Sequence, residues 1–249
     1  TRTAAEAEAF RGVVAIAHAI LAEGLSEKAV KPGVTTVNDL AWWLRERIAE
    51  QKLSTWFHPG VAVFRQGSAG ALEGDTVIRP GDMIWTDFGI SYLGLNTDSQ
   101  HLAYVLKPGE TDAPAGLKAG MAAGNKAQDA VRRAIATAKT GNDALAKALA
   151  DTKRQGIDAT IYSHPLGLHG HAAGPAIGFW DKQTPDERGA PAIHPDTGWS
   201  VELAVKKKVP EWGGQTVPFR LEDDVFFDGG RVEWLDGRQT RFHLIPAGG

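Results

Sequence analysis

Four carboxylates interrupt runs that otherwise read as buried strands, and this constrains the fold more than any other feature of the chain. Asp87 and Asp98 lie in two extended, apolar-rich runs between Thr76 and Val105, Glu202 sits between Val201 and Leu203, and Glu222 follows Phe219-Arg220-Leu221. An unpaired carboxylate taken out of water costs on the order of several kcal/mol, so each acid needs a partner or a solvated sheet edge. Asp87 and Asp98 are 11 residues apart on the arms of an apparent hairpin turning around Tyr92 to Gly94. A symmetric register centred between residues 92 and 93 would set them side by side. Two carboxylates so placed repel unless a cation lies between them.

The remaining pattern surrounds these strands with helices. Thr3 to Glu6 reads as a capping box ahead of Phe10, Val13, Val14, Ala17, Ile20 and Leu21 at helical spacing. Thr36 is placed to cap a second helix bearing Leu40, Trp43, Leu44 and Ile48, with the Trp42-Trp43 pair expected in the core. Pro114 to Lys139 and Asp143 to Arg154 are Ala-rich and predict two more helices. Strands are predicted over 56–64, 157–163, 199–205, 218–227, 231–234 and 239–244, with Leu235-Asp236-Gly237-Arg238 as a hairpin turn. With 249 residues, 43% of them hydrophobic, and no low-complexity linker, the expectation is one α+β domain over 1–249, with helices packed on a curved antiparallel sheet.

A third signal is the run His164-Pro165-Leu166-Gly167-Leu168-His169-Gly170-His171, three histidines in eight residues after a strand. Neutral imidazole is a common ligand for first-row metals, so such a loop beside buried acids suggests one metal-binding and one proton-handling histidine. The chain has no cysteine, which excludes disulfides and thiolate zinc sites and leaves oxygen and imidazole as the donors. Each signal alone has a plainer reading: solvated strand-end aspartates, an incidental histidine loop, an acidic surface turn at Glu222-Asp223-Asp224.

Order and spacing together are more specific. Gly81-Asp82 leads to Asp87-Phe88-Gly89; Tyr92 and Thr97-Asp98 follow; then come H-x-x-G-x-x-x-H from His164 to His171, Ser200-Val201-Glu202 and Arg220-Leu221-Glu222-Asp223. In this order the sequence resembles the pita-bread metallopeptidases, the M24 superfamily of methionine aminopeptidase, Xaa-Pro aminopeptidase, prolidase and creatinase. The resemblance runs from about Thr3 to Ile245 and implies the pita-bread fold. It implies two divalent ions per chain, with Asp87 on one ion, His164 and Glu202 on the other, and Asp98 and Glu222 bridging both. Glu202 would also shuttle a proton, and His171 would contact the scissile amide. Arg220 is expected to pair with a ligand carboxylate and orient it. Donors made only of oxygen and nitrogen suit Mn²⁺, Co²⁺, Zn²⁺ or Fe²⁺, with Mn²⁺ implied by the likeness to prolidases.

There are two departures from the family's pattern. The stretch Gln66 to Ala71 lacks the substrate-binding histidine that family aminopeptidases carry there, and His58 is the nearest replacement. Leu203 stands after Glu202 where many members have proline. His169 has no family role to inherit.

The expected activity is dinuclear metal-dependent hydrolysis of Xaa-Pro bonds at the N-terminus of peptides or in dipeptides. The alternatives are a non-catalytic peptide-binding module and a creatinase-like hydrolase on the same fold. A formal net charge of −3, from 27 basic and 30 acidic residues, offers no general attraction to nucleic acid or an anionic membrane. No stretch approaches the ~18 apolar residues that span a bilayer. The cytoplasm and the periplasm suit a cysteine-free chain equally. The prolidase branch commonly dimerises and carries an N-terminal domain, so a homodimer and an upstream domain absent from this chain, which begins at Thr1, are further expectations.

Overall fold

The computed structural model describes residues 1–248. Helix α1 (Ala4–Gly24) opens on a reciprocal capping box, in which Thr3 Oγ1 accepts from the Glu6 amide and the Glu6 carboxylate accepts from the Thr3 amide. Helix α2 (Val37–Glu50) repeats the device with Thr36 and Asp39. Caps of this kind are worth about 1 kcal/mol each and set where the apolar stripes begin. The predicted stripes, Phe10 to Leu21 on α1 and Leu40, Leu44 and Ile48 on α2, are buried. Trp43 packs partly buried beside them, but Trp42 is 53% exposed, which corrects its expected place in the core. It lies on the flank of α2, edge-on to His58.

The strands are β1 (Gly60–Phe64), β2 (Met83–Phe88), β3 (Ser91–Tyr92), β4 (Leu95–Asn96) and β5 (Ser99–Val105). Helices α3 (Ala115–Thr137) and α4 (Gly141–Arg154) follow, and then β6 (Ala159–Ile161), β7 (His164–Leu166), β8 (Thr197–Val209), β9 (Gln215–Phe227), β10 (Val232–Trp234) and β11 (His243–Ile245). The main sheet runs β1-β2-β5-β9-β8-β6, with β7 on β8, β10 on β9 and β11 on β5. One apolar cluster packs α1 and α2 with residues of β1, β2 and β5, and a second packs α3 and α4 with β8 and β9. Among the described residues no helix is long and apolar enough to cross a membrane.

Helix α3 approaches the sheet through glycines one turn apart. A Cβ on Gly120 would fall inside the Phe219 ring, and one on Gly124 would meet Leu221 Cδ1 at 2.6 Å. Glycine inside a helix costs about 1 kcal/mol relative to alanine, and here it permits a close helix-to-strand contact that a side chain would block.

Two turns differ from their prediction. The hairpin after β2 closes through Leu93 and Gly94, both in the left-handed region at φ 55° and 72°, as a two-residue turn whose twist matches the strands. The centre is therefore one residue later than predicted, and Asp87 pairs with Gln100 instead of Asp98. The Leu235 to Arg238 turn, by contrast, does not make a hairpin. β10 pairs with β9, while β11 runs parallel to β5 at Ala103 to Val105, on the length of β5 that β9 leaves after its single ladder pair at Gln100 and Glu222.

Candidate metal centre

The ladder places the acids in one row. Asp87 on β2 faces Gln100 on β5, Gln100 faces Glu222 on β9, and Glu222 faces Glu202 on β8. Side chains alternate along a strand, so these four share one face of the sheet. His164 on β7 pairs with Ser200, two residues before Glu202. Asp98, just ahead of β5, is held by its own amide, which donates to Asp224 Oδ2 at 3.1 Å.

The five predicted ligands converge. His164 Nε2 lies 3.6 Å from Asp98 Oδ2, 3.7 Å from Glu222 Oε1 and 3.9 Å from Glu202 Oε2. His164 Nδ1 donates to the Pro165 carbonyl at 3.1 Å, which turns Nε2 toward the acids. That atom is buried and without a hydrogen-bond partner. Three carboxylate oxygens gathered around this nitrogen repel one another unless a cation lies among them, and four ligands at about 2.1 Å from one ion stand about 3.4 Å apart. A second set, Asp87, Asp98 and Glu222, also brings donor atoms within 4.8 Å of one another. Asp98 and Glu222 thus belong to clusters on both sides, and the donor set fits two divalent ions.

Burial, and then the Glu222 charge, push the Asp87, Asp98 and Glu202 carboxyls well above the usual carboxylate range. Arg220 opposes this at Asp87 and Glu202, and a Gln100 hydrogen bond opposes it at Glu202. Sequence reasoning missed Gln100, whose Nε2 donates to both Glu202 and Glu222, at 2.8 Å to the latter. Its signal was present, since it stands two residues after Asp98 on the same face. Ser200, whose hydroxyl donates to Glu222, was also missed, as was the buried Asp224, whose Oδ1 has no partner.

His171 stands beside the cluster, grouped with Asp98 and His164, its ring 4.5 Å from His164 and 5.2 Å from Trp56. Burial and the neighbouring His164 lower its pKa from the usual imidazole range. His169 is exposed, and its carbonyl accepts from the Gly167 amide. His58 is exposed against Trp42 and joins none of the donor clusters among the described residues. Arg220 makes no ion pair with a ligand carboxylate among the described residues, in contrast to the expectation. Its guanidinium lies 5.1 Å from the Trp85 ring and 6.0 Å from that of Trp180. These three residues, with Asp87, Gln100 and Glu202, line a cavity of about 370 Å³ beside the acids.

The sequence profile of metallopeptidase family M24 matches residues 8–228. The chain belongs to metallopeptidase family M24. Comparison with curated protein sequences gives no match. Among solved structures, an X-Pro aminopeptidase from Thermotoga maritima is similar at 20% identity and a TM-score of 0.71, covering 98% of this chain and 64% of that one. A prolidase from Thermococcus sibiricus shares 19% identity at a TM-score of 0.68, covering 98% and 62%. A methionine aminopeptidase from Rickettsia prowazekii shares 14% at 0.69, covering 94% and 98%. These likenesses establish the pita-bread fold for this M24 chain, which spans less than two thirds of the X-Pro aminopeptidase and prolidase chains.

Proposed function

We propose that this M24 chain carries a dinuclear divalent-metal centre and hydrolyses Xaa-Pro bonds at the N-terminus of peptides or in dipeptides. The observation that carries the reading is the unpartnered His164 Nε2 inside a ring of three carboxylates. In this reading His164 and Glu202 hold one ion, Asp87 the other, and Asp98 and Glu222 both. The ions, once bound, lower the pKa of water and polarise a scissile carbonyl. The protein does the rest of the work.

Gln100 and Ser200 fix the Glu222 carboxylate, and Gln100 also holds Glu202 Oε1, which orients Glu202 both to hold its ion and to pass a proton to the leaving amine. His171, beside Asp98 and His164, donates to the scissile amide and steadies the tetrahedral intermediate. Trp85 and Trp180 offer flat apolar walls that suit a proline ring, with Arg220 beside them offsetting the acids' charge. The X-Pro aminopeptidase and the prolidase among the structural neighbours support this substrate class. Mn²⁺ as the resident metal and a homodimer as the assembly belong to the same proposal. The five convergent donors argue against a peptide-binding module and a metal-free creatinase-like hydrolase.

The test is metal analysis of the purified chain with hydrolysis of an Ala-Pro dipeptide and an Xaa-Pro tripeptide, with and without Mn²⁺, against Asp98→Ala. The expected result is about two ions per chain in the five-ligand centre and cleavage that needs both metal and Asp98. Cleavage that survives metal removal and Asp98→Ala would overturn the mechanism, and a loaded protein that cuts neither peptide would overturn the substrate class.

A further inference from the structure

A second constellation lies behind the row of acids. Along β9 and β5 the alternation that turns Glu222 and Gln100 to one face turns Asp223 and His101 to the other. There, His101 Nε2 lies 3.0 Å from Asp223 Oδ1 and His18 Nε2, from α1, lies 3.8 Å from the same oxygen. His101 and Asp223 are buried, and the His18 side chain is only 14% exposed. The three donor atoms fall within 4.8 Å of one another.

The surroundings orient these groups as a metal would require. His18 Nδ1 sits 3.0 Å from Asp236 Oδ2, so its proton resides there, and Nε2, 3.4 Å from the Ser99 hydroxyl, faces Asp223. A histidine whose second nitrogen donates to a carboxylate is the usual outer arrangement of a metal-bound imidazole. The other oxygen of Asp223 accepts from Gln128 Nε2 at 3.0 Å, while Oδ1, which also accepts from the Gln239 amide at 3.4 Å, faces the two imidazoles. His101 and His243, stacked at 5.7 Å, each keep a buried ring nitrogen without a partner, so the pocket holds more polar capacity than its hydrogen bonds use.

We infer that His18, His101 and Asp223 form a separate, structural site for a zinc-class divalent cation, tying α1 to β5 and β9 behind the candidate centre. The separations of 3.0 and 3.8 Å bracket the spacing of about 3.4 Å between ligands of a tetrahedral ion with bonds near 2.1 Å. Two imidazoles and one carboxylate suit Zn²⁺ and Co²⁺ and disfavour Mg²⁺ or Ca²⁺. None of the three residues belongs to the five-ligand cluster, so the site stands or falls independently of the peptidase reading.

The test uses the full chain stripped by chelator and titrated with Co²⁺ and Zn²⁺ by equilibrium dialysis and visible absorption, beside His18→Gln and His164→Ala. The expected result is that His18→Gln binds one ion fewer and loses a tetrahedral Co²⁺ band which His164→Ala keeps. Equal stoichiometry and spectra for the chain and His18→Gln would overturn the site. If His18→Gln does not fold, Asp236→Asn decides: it leaves all three ligands in place, and a ten- to hundredfold loss of affinity for one ion supports the site, whereas unchanged affinity refutes it.

Discussion

Replacing Asp98 by asparagine inverts in sign between the metal-free and the metal-loaded protein. Asp87, Asp98 and Glu222 hold donor atoms within 4.8 Å of one another, and an ionised pair at that separation repels by about 3 kcal/mol at an effective dielectric constant of ~20. Without a cation, Asp98 faces two such partners. Proton uptake relieves part of the repulsion, as the raised carboxyls show. A net gain of about 2 kcal/mol for Asp98→Asn in chelator at pH 8 is expected, or about 4–8 °C in the thermal midpoint of a chain this size. A carboxyl raised in the folded state is protonated in both states below the usual carboxylate pKa, and its stability is lost as pH rises through the folded value. The gain from asparagine therefore grows from pH 5 to pH 8 and vanishes near pH 4. With metal at a thousand times its dissociation constant, the wild-type chain gains about 4 kcal/mol and the variant forfeits much of that. Thermal scans of both proteins at three pH values, with chelator and with Mn²⁺, provide the assay. If Asp98→Asn destabilises the stripped protein at pH 8 as it does the loaded one, the repulsion argument is wrong.

Gln100→Ala removes the donor shared by Glu202 and Glu222 and is expected to weaken metal retention about ten- to hundredfold while the fold survives, as read by dialysis and circular dichroism. His171→Ala is expected to lower kcat by about 10²–10³ with metal content unchanged, and steady-state kinetics beside metal analysis separates the two effects. Gly120→Ala forces a methyl into the Phe219 ring and is expected to cost about 1–3 kcal/mol in urea unfolding, with Gly120→Ala/Phe219→Leu recovering part of the loss.

Helix boundaries were legible because capping is local chemistry: Thr3 and Thr36 announce α1 and α2 within four residues. The candidate ligands were legible only as a set, because each acid in an apolar strand is a weak signal alone and their order and spacing carried the reading. Register was not, because it turned on one residue. Leu93-Gly94 lacks the Asn-Gly signature of a turn with two positive φ angles, so the hairpin centre was misplaced by one position and the pairing by two. The exposure of Trp42 and the parallel seating of β11 were equally hidden, since both depend on what the distant chain leaves uncovered. The His18, His101 and Asp223 constellation draws on residues more than 80 positions apart, and only the folded sheet brings them together.

The thirteen-pair ladder between β8 and β9 has a consequence for errors of folding. Glu222, Asp223 and Asp224 are consecutive acids, so a slip of one residue would still present carboxylates on both faces. Asp223, one methylene shorter, would then be offered where Glu222 belongs, and Glu222 would be driven into the helix-covered side. Charge alone cannot tell the two alignments apart. The length of the ladder and the alternation of Val201, Leu203 and Val205 with Phe219 and Leu221 therefore act as the proofreading step, and shortening the hairpin is expected to yield misthreaded protein before it yields unfolded protein.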